Sequence, residues 1–122
     1  MNRNEIRNAM FPECPVRNIL SKILDKWSLL VLYTLEQSEV MRFNDLMRSI
    51  PDISQKMLTT TLKSLEADGL VSRKVIPDVP VKVEYRLTER ALTVMPMLDE
   101  LLGWAIENFS PIVNDREKNS KK

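Results

Sequence analysis

The sequence predicts a mainly α-helical fold that contains one small β-hairpin. Apolar residues recur at spacings of three and four through most of the chain, which is the period of helices that bury one face. Between residues 71 and 87 the period changes to two, as it does in half-buried strands. The 122 residues are 43% hydrophobic and 29% charged. This length and composition are typical of one globular domain.

The composition excludes several classes of protein. The chain has no histidine and one cysteine, so one copy offers no imidazole acid–base group, no Cys-based zinc site and no internal disulfide. Its only glycines are Gly69 and Gly103, which leaves no glycine-rich phosphate-binding loop. We therefore expect neither enzyme activity nor a metal or cofactor.

The sequence also indicates a cellular location. No apolar run reaches the roughly 20 residues that span a bilayer. The first residues lack the apolar core of a signal peptide. We expect a cytoplasmic protein that does not associate with a membrane.

The N-terminal part of the chain is predicted to form helices. Residues 1–13 are polar and mixed in charge and indicate an arm or a short helix. Pro15 then interrupts the chain, because the residue before a proline avoids helical geometry. Helical spacing of apolar residues predicts a helix over 16–24. The nearly all-apolar run 27–35 could be a strand on composition, but its length and flanking helices favour a buried helix.

Two amphipathic helices joined by a tight connection follow. The first carries an apolar stripe that begins at Phe43 and ends before Pro51. The second, over 54–68, begins with the capping hydroxyl of Ser54 and stops at Gly69, since glycine takes a positive φ without strain. Only two residues separate Pro51 from Ser54. The pair therefore has the arrangement of a helix-turn-helix.

The outward face of the helix over 54–68 is polar and basic. Its hydroxyl, amide and ammonium groups suit base edges and phosphates in a DNA major groove. Taken alone, this helix also matches an ordinary amphipathic surface helix. The side chains on this face are Lys56, Thr59, Thr60 and Lys63, with Gln55 at the edge.

The alternating segments predict a β-hairpin over 71–87. Residues 71–76 and 81–87 alternate in polarity, and the loop between them contains Pro77 and Pro80, which cannot continue a strand ladder. A hairpin directly after the second helix of such a pair is a wing. Its basic side chains can reach the DNA backbone or minor groove while the helix occupies the major groove.

Residues 88–110 are predicted to form a C-terminal helix with a wide apolar face. Thr88 can cap it. Pro96 is expected to kink it or to start a fresh helix, because an interior proline costs about 3 kcal/mol. The apolar face either completes the core or packs against a second subunit. Residues 114–122 have nothing to bury, so we expect a disordered tail.

The charge distribution is uneven although the net charge is only +1. Residues 54–86 hold six basic and four acidic side chains, whereas residues 88–115 hold one basic and five acidic ones. A DNA-binding protein would turn the first stretch toward phosphates and hold the second away. A chance difference between solvated faces is the alternative.

Residues 14 to about 104 closely resemble HxlR-type winged-helix regulators, a bacterial group related to the MarR-like repressors. The resemblance rests on four motifs: CPV at 14–16, KWSLLVLYTL at 26–35, RFNDLMRSIPDISQKMLTTTLKSLEADGLVSR at 42–73 and PDVPVKVEYRLT at 77–88. It implies a winged helix-turn-helix domain over 14–113 whose N- and C-terminal helices form a homodimer interface. It also implies binding to a pseudo-palindromic operator in double-stranded DNA, with half-sites about 34 Å apart.

The resemblance further implies which side chains contact DNA. The helix over 54–68 becomes the recognition helix, with Lys63 nearer to a phosphate than to a base. The wing contributes Arg73, Lys74 and Lys82. The base-reading candidates are Ser54, Gln55, Lys56, Thr59 and Thr60.

Two questions stay open from the sequence. In some relatives a cysteine at the position of Cys14 senses oxidants or electrophiles; here Glu13 disfavours a reactive thiolate and Arg17 favours one, so redox sensing and a quiet thiol both remain. The signal to which the regulator responds is accordingly either a redox signal or a small molecule. The small basic excess also allows a winged-helix module that recognises a partner protein without binding DNA.

Overall fold

This computed structural model describes residues 1–10 and 15–120. Within them the chain forms seven helices and three strands. The chain forms two compact units, Met1–Ala91 and Leu92–Lys122. The predicted fold class, mainly helical with a small β-hairpin, is confirmed, and a short third strand joins the hairpin. The elements are α1 Arg3–Ala9, α2 Pro15–Ile23, α3 Lys26–Glu36, β1 Met41–Arg42, α4 Phe43–Ser49, α5 Gln55–Ala67, β2 Val71–Ile76, β3 Lys82–Leu87, α6 Glu89–Glu107 and α7 Phe109–Ser120.

The core of the first unit lies where α3 packs against α5 and the sheet. Leu32 of α3 and Leu58 of α5 are completely buried, as is Leu46 of α4. Burying each leucine stabilises the fold by about 1.5–3 kcal/mol. Because the three leucines of α5, Leu58, Leu62 and Leu65, are all buried, this packing fixes which side of α5 faces outward.

The connection between α4 and α5 is short and tightly turned. Asp52 takes a φ of 66°, in the left-handed region that short polar side chains tolerate better than most residues. Ile53 next to it is buried. This one buried anchor within the turn holds the start of α5 against the core.

The sheet has three antiparallel strands in the order β1-β3-β2. In the hairpin, Val71 pairs with Leu87 at the base and Ile76 with Lys82 at the tip. β1 adds Met41 opposite Tyr85. The sequence did not predict β1, because a strand of two residues is too short to show an alternating pattern.

The C-terminal segment differs from its prediction. α6 is continuous across Pro96, so no fresh helix begins there, and it ends at Glu107. The side-chain amide and the backbone N–H of Asn108 both donate to the Trp104 carbonyl, at 2.9 and 3.0 Å. α7 then runs to Ser120, where a disordered tail over 114–122 was expected. None of its residues is buried. The basic and acidic side chains of this stretch favour a helix through their intrinsic propensity rather than through packing.

The N-terminal residues form a short capped helix. The Asn2 side chain accepts a 2.8 Å hydrogen bond from the backbone N–H of Glu5. The Glu5 carboxylate in turn accepts a hydrogen bond from the backbone N–H of Asn2. This is the reciprocal pairing of a capping box. No helix in the described parts of the chain is both long and apolar enough to cross a bilayer.

Candidate nucleic-acid interface

The start of α5 is fixed by Ser54. Its hydroxyl oxygen accepts a 3.0 Å hydrogen bond from the backbone N–H of Met57, which satisfies one of the unpaired donors at the helix start. The hydroxyl proton remains free to point outward. Ser54, a predicted base-reading residue, therefore has a structural role at the edge of the exposed face.

The inner and outer faces of α5 separate as the sequence predicted. Leu58, Leu62 and Leu65 are buried. Lys56 and Lys63 are exposed on the opposite side. The packing behind the helix thus leaves its ammonium, hydroxyl and amide groups available to a partner.

A groove of about 480 Å³ runs between α5 and the hairpin, and we name it the wing groove. It brings Gln55, Thr59 and Lys63 of α5 to the same surface as Arg73 of β2. The first and last of these four residues are separated by 18 positions in the sequence. All four were predicted to contact DNA. The complete lining is Phe43, Gln55, Thr59, Leu62, Lys63, Glu66, Arg73 and Tyr85.

Thr60 lies on a different flank of α5. It borders a second groove, formed with the α2–α3 region, and its hydroxyl donates a 2.9 Å hydrogen bond to the Lys56 carbonyl. Successive helical residues are rotated by about 100°, which is why Thr59 and Thr60 face opposite flanks. Thr60 therefore does not share a surface with Thr59.

The wing candidates also divide between two faces. Arg73 pairs with Tyr85 across the hairpin, and both line the wing groove. Lys74 and Lys82 occupy the alternate positions of the strands, which point to the other face. Lys82 is further engaged by Asp78, with 3.6 Å between ammonium and carboxylate. Within the hairpin, only Arg73 of the predicted residues is directed to the groove.

Four residues that line the wing groove were not identified as site residues from the sequence: Phe43, Leu62, Glu66 and Tyr85. Tyr85 lies on the same face of the hairpin as Arg73, so the alternation of residues along the strands could have identified it. Glu66 lies three residues after Lys63, a spacing that places both on one side of a helix. Phe43 had no such signal, because its position depends on how α4 packs. Glu66 adds a carboxylate to a groove with two cations, which tempers its attraction for anions.

Two further expectations concern chemistry. Cys14, for which the sequence left both redox sensing and a quiet thiol open, lies outside the described residues. Within residues 1–10 and 15–120, no cluster of three or more acidic or sulfur side chains could hold a metal ion.

Comparison with known proteins places the chain among transcription regulators. The model of the family described as HxlR-like helix-turn-helix matches residues 22–113. An uncharacterized HTH-type transcriptional regulator of Halalkalibacterium halodurans, BH0655, is 46% identical over 106 residues, which cover 87% of this chain and 92% of the relative. An uncharacterized HTH-type regulator of Methanothermobacter thermautotrophicus is 45% identical over 105 residues, covering 86% of this chain and 79% of its own.

Solved structures share the fold. YtfH from Salmonella typhimurium is 35% identical with a TM-score of 0.75, covering 86% of this chain and 93% of that one. The reduced form of the redox regulator HypR is 39% identical with a TM-score of 0.73, covering 82% and 98%. The reduced form of the transcriptional regulator YodB from B. subtilis is 38% identical with a TM-score of 0.68, covering 75% and 90%. These relatives are regulators and not enzymes.

Proposed function

The chain belongs to the HxlR-like helix-turn-helix family of transcriptional regulators, and on that premise we propose that it binds a pseudo-palindromic operator in double-stranded DNA as a homodimer. In this proposal, α5 enters the major groove and the hairpin acts as the wing. The protein works in the cytoplasm, where its operator is accessible.

The wing groove is the observation that carries this proposal. The amide of Gln55 has the donor and acceptor that a bidentate contact with adenine requires. Thr59 offers a hydroxyl beside it. Lys63 and Arg73 lie at the border of the same groove, where they can pair with phosphates. Side chains able to read bases are thus flanked by side chains able to bind the backbone.

The second unit supports the homodimer. Trp104 is 58% exposed and Ile106 is 76% exposed, although both are large and apolar. An apolar groove of about 380 Å³ lies among Leu102, Ala105, Ile106 and Phe109. A contiguous apolar surface of this kind marks an interaction site. A second copy of the chain is the partner that two-fold operator symmetry requires.

We propose in addition that Cys14 makes DNA binding responsive to oxidants. The support is the similarity of this chain to HypR, a solved relative that is a redox regulator. Operator affinity measured with and without diamide tests the proposal. The wild-type protein should change affinity on oxidation and the Cys14→Ser variant should not. Equal affinity of the wild-type protein under both conditions would leave a small-molecule signal as the remaining route.

Selection of bound sequences from a random DNA pool tests the main proposal. We expect an enriched motif made of two inverted half-sites whose centres lie about one helical turn, or a multiple of it, apart. An enriched motif without inverted symmetry would refute the homodimeric operator. No enrichment, together with no salt-dependent binding to random DNA, would identify the chain as a protein-interaction module instead.

A further inference from the structure

A second groove, lined by polar residues and by Met57, lies on the flank of α5 that faces away from the wing. It is formed by α5, the end of α2 and the start of α3, and its volume is about 280 Å³. Thr60, Thr61 and Ser64 line it from α5, and Lys22 and Ser28 line it from α2 and α3. We name it the α2-side groove. Its surface carries several hydroxyl groups and one ammonium group.

Two residues with hydroxyl groups lie deep in this groove. Ser28 is 4% exposed and Thr61 is 5% exposed, and both line the groove. Each of these hydroxyls can donate one hydrogen bond and accept others, so each is able to bond a polar occupant of the groove.

The position of this groove indicates what that occupant is. A B-DNA major groove is about 12 Å wide, and an α-helix with its side chains is about 10–12 Å across. A helix inserted there therefore has one sugar-phosphate backbone on each flank. On one flank the wing groove offers Lys63 and Arg73. On the other, the α2-side groove offers Lys22.

We propose that the α2-side groove binds a backbone phosphate of the DNA strand that borders α5 opposite the wing. Lys22, in the last turn of α2, supplies the positive charge. The hydroxyls of Thr61 and Ser64 supply hydrogen bonds to phosphate oxygens. This inference rests on the proposed DNA binding and adds a phosphate contact on the flank of α5 that lies away from the wing.

Asp25 allows a second test of the groove, because its effect on DNA affinity should be opposite to that of Lys22. Its Oδ2 atom accepts hydrogen bonds from the backbone N–H groups of Trp27 at 3.1 Å and Ser28 at 3.3 Å, so it caps α3. The same residue lines the groove, and its carboxylate repels an approaching phosphate. Lys22 and Asp25 should thus affect DNA affinity in opposite directions.

The test measures DNA affinity against salt concentration for Lys22→Gln, with Lys118→Gln on α7 as a control that loses the same charge. Each phosphate contact contributes about 0.9 to the slope of log K against log salt. The slope of Lys22→Gln should be smaller than the wild-type slope by about 0.9. If the two proteins bind equally at 1 M salt, this difference makes the variant bind both operator and random DNA about eightfold more weakly at 0.1 M salt. Lys118→Gln should keep the wild-type slope.

Asp25→Asn provides the second measurement. Asparagine caps helices as well as aspartate does, so the variant should fold normally while its affinity for all DNA rises several-fold. Circular dichroism and thermal unfolding of each variant check the fold.

The outcomes separate this inference from the proposed function. If Lys63→Ala lowers the salt slope and Lys22→Gln does not, the protein binds DNA but the groove does not contact a phosphate. If Lys22→Gln and Lys118→Gln lowered the salt slope by the same amount, the effect would come from the change in net charge alone, and the inference would be wrong. If the wild-type protein shows no salt-dependent DNA binding, the proposed function fails as well.

Discussion

The side-chain hydroxyl of Thr88 donates a 2.6 Å hydrogen bond to the backbone carbonyl of Gly69, nineteen positions earlier. Gly69 follows the end of α5, and Thr88 follows the end of β3. The same hydroxyl oxygen accepts a 3.3 Å hydrogen bond from the N–H of Ala91 and so caps α6. One side chain therefore ties the end of α5 to the base of the hairpin and to the start of α6.

Replacement of this threonine should destabilise the first unit. Thr88→Val keeps the shape but leaves the Gly69 carbonyl and the α6 cap without a partner, at a cost of about 1–3 kcal/mol. Thr88→Ser retains the hydroxyl and should stay within about 0.5 kcal/mol of the wild-type protein. Urea denaturation measures both. Equal stability of the valine and serine variants would show that the hydrogen bonds contribute nothing.

The two glycines should respond to alanine with opposite signs. Gly69 has a φ of 74°, and an added Cβ would lie 2.5 Å from Nη1 of Arg90, which donates a 3.0 Å hydrogen bond to the Asp68 carbonyl. Gly69→Ala should therefore cost about 1–2 kcal/mol. Gly103 lies within α6 with no atom within 4 Å of an added Cβ, so Gly103→Ala should stabilise by about 0.5–1 kcal/mol. Thermal unfolding compares them, and a loss of stability in Gly103→Ala would contradict the second expectation.

Ser54 allows the cap of α5 to be separated from DNA contact. Ser54→Ala should lower the free energy of unfolding by about 1 kcal/mol, because the Met57 N–H loses its acceptor. Ser54→Asp keeps an acceptor and should match the wild-type stability, but its carboxylate should weaken binding to all DNA by repelling phosphates. Chemical denaturation and gel shifts measure the two effects. Unchanged DNA affinity in Ser54→Asp would place this residue away from the nucleic acid.

Two residues of the wing groove should affect DNA binding in different ways. Lys63→Ala should weaken binding to every sequence and lower the salt slope by about one. Gln55→Ala should reduce the preference for the operator over a single-base variant by about 1–3 kcal/mol while leaving random DNA binding nearly unchanged. Fluorescence anisotropy at several salt concentrations distinguishes these patterns. If both variants weakened all sequences equally, α5 would bind DNA without reading its bases.

The apolar surface of the second unit predicts the effect of an added charge. Ile106→Asp places a carboxylate beside the apolar groove of that unit and should convert the dimer to a monomer at micromolar concentration, because the charge would lose its hydration in the interface. Lys118→Asp, on the exposed end of α7, should remain dimeric. Sedimentation equilibrium measures both. A dimeric Ile106→Asp variant would show that the subunits meet elsewhere.

Local patterns predicted α5 and the hairpin because the period of apolar residues reflects which side of each separate helix or strand is buried. Ser54 was identified as a cap from its residue type and position. The leucine stripe of α5 gave its inner face, and alternation gave the strands. Where burial is absent the same reasoning failed: α7 buries none of its residues, so no apolar periodicity marked its helix, and only the intrinsic propensity of its charged side chains favoured one.

By itself, then, the sequence determined the helix-turn-helix pair, the hairpin behind it and the polar outer face of α5. Only the tertiary structure decided how that face is divided between two grooves. Thr59 and Thr60 look equivalent in the sequence, yet Thr59 lies beside Arg73 and Thr60 beside Lys22. The division depends on which elements pack against each flank of α5. Contacts between distant segments set that arrangement, and no local pattern of residues records it.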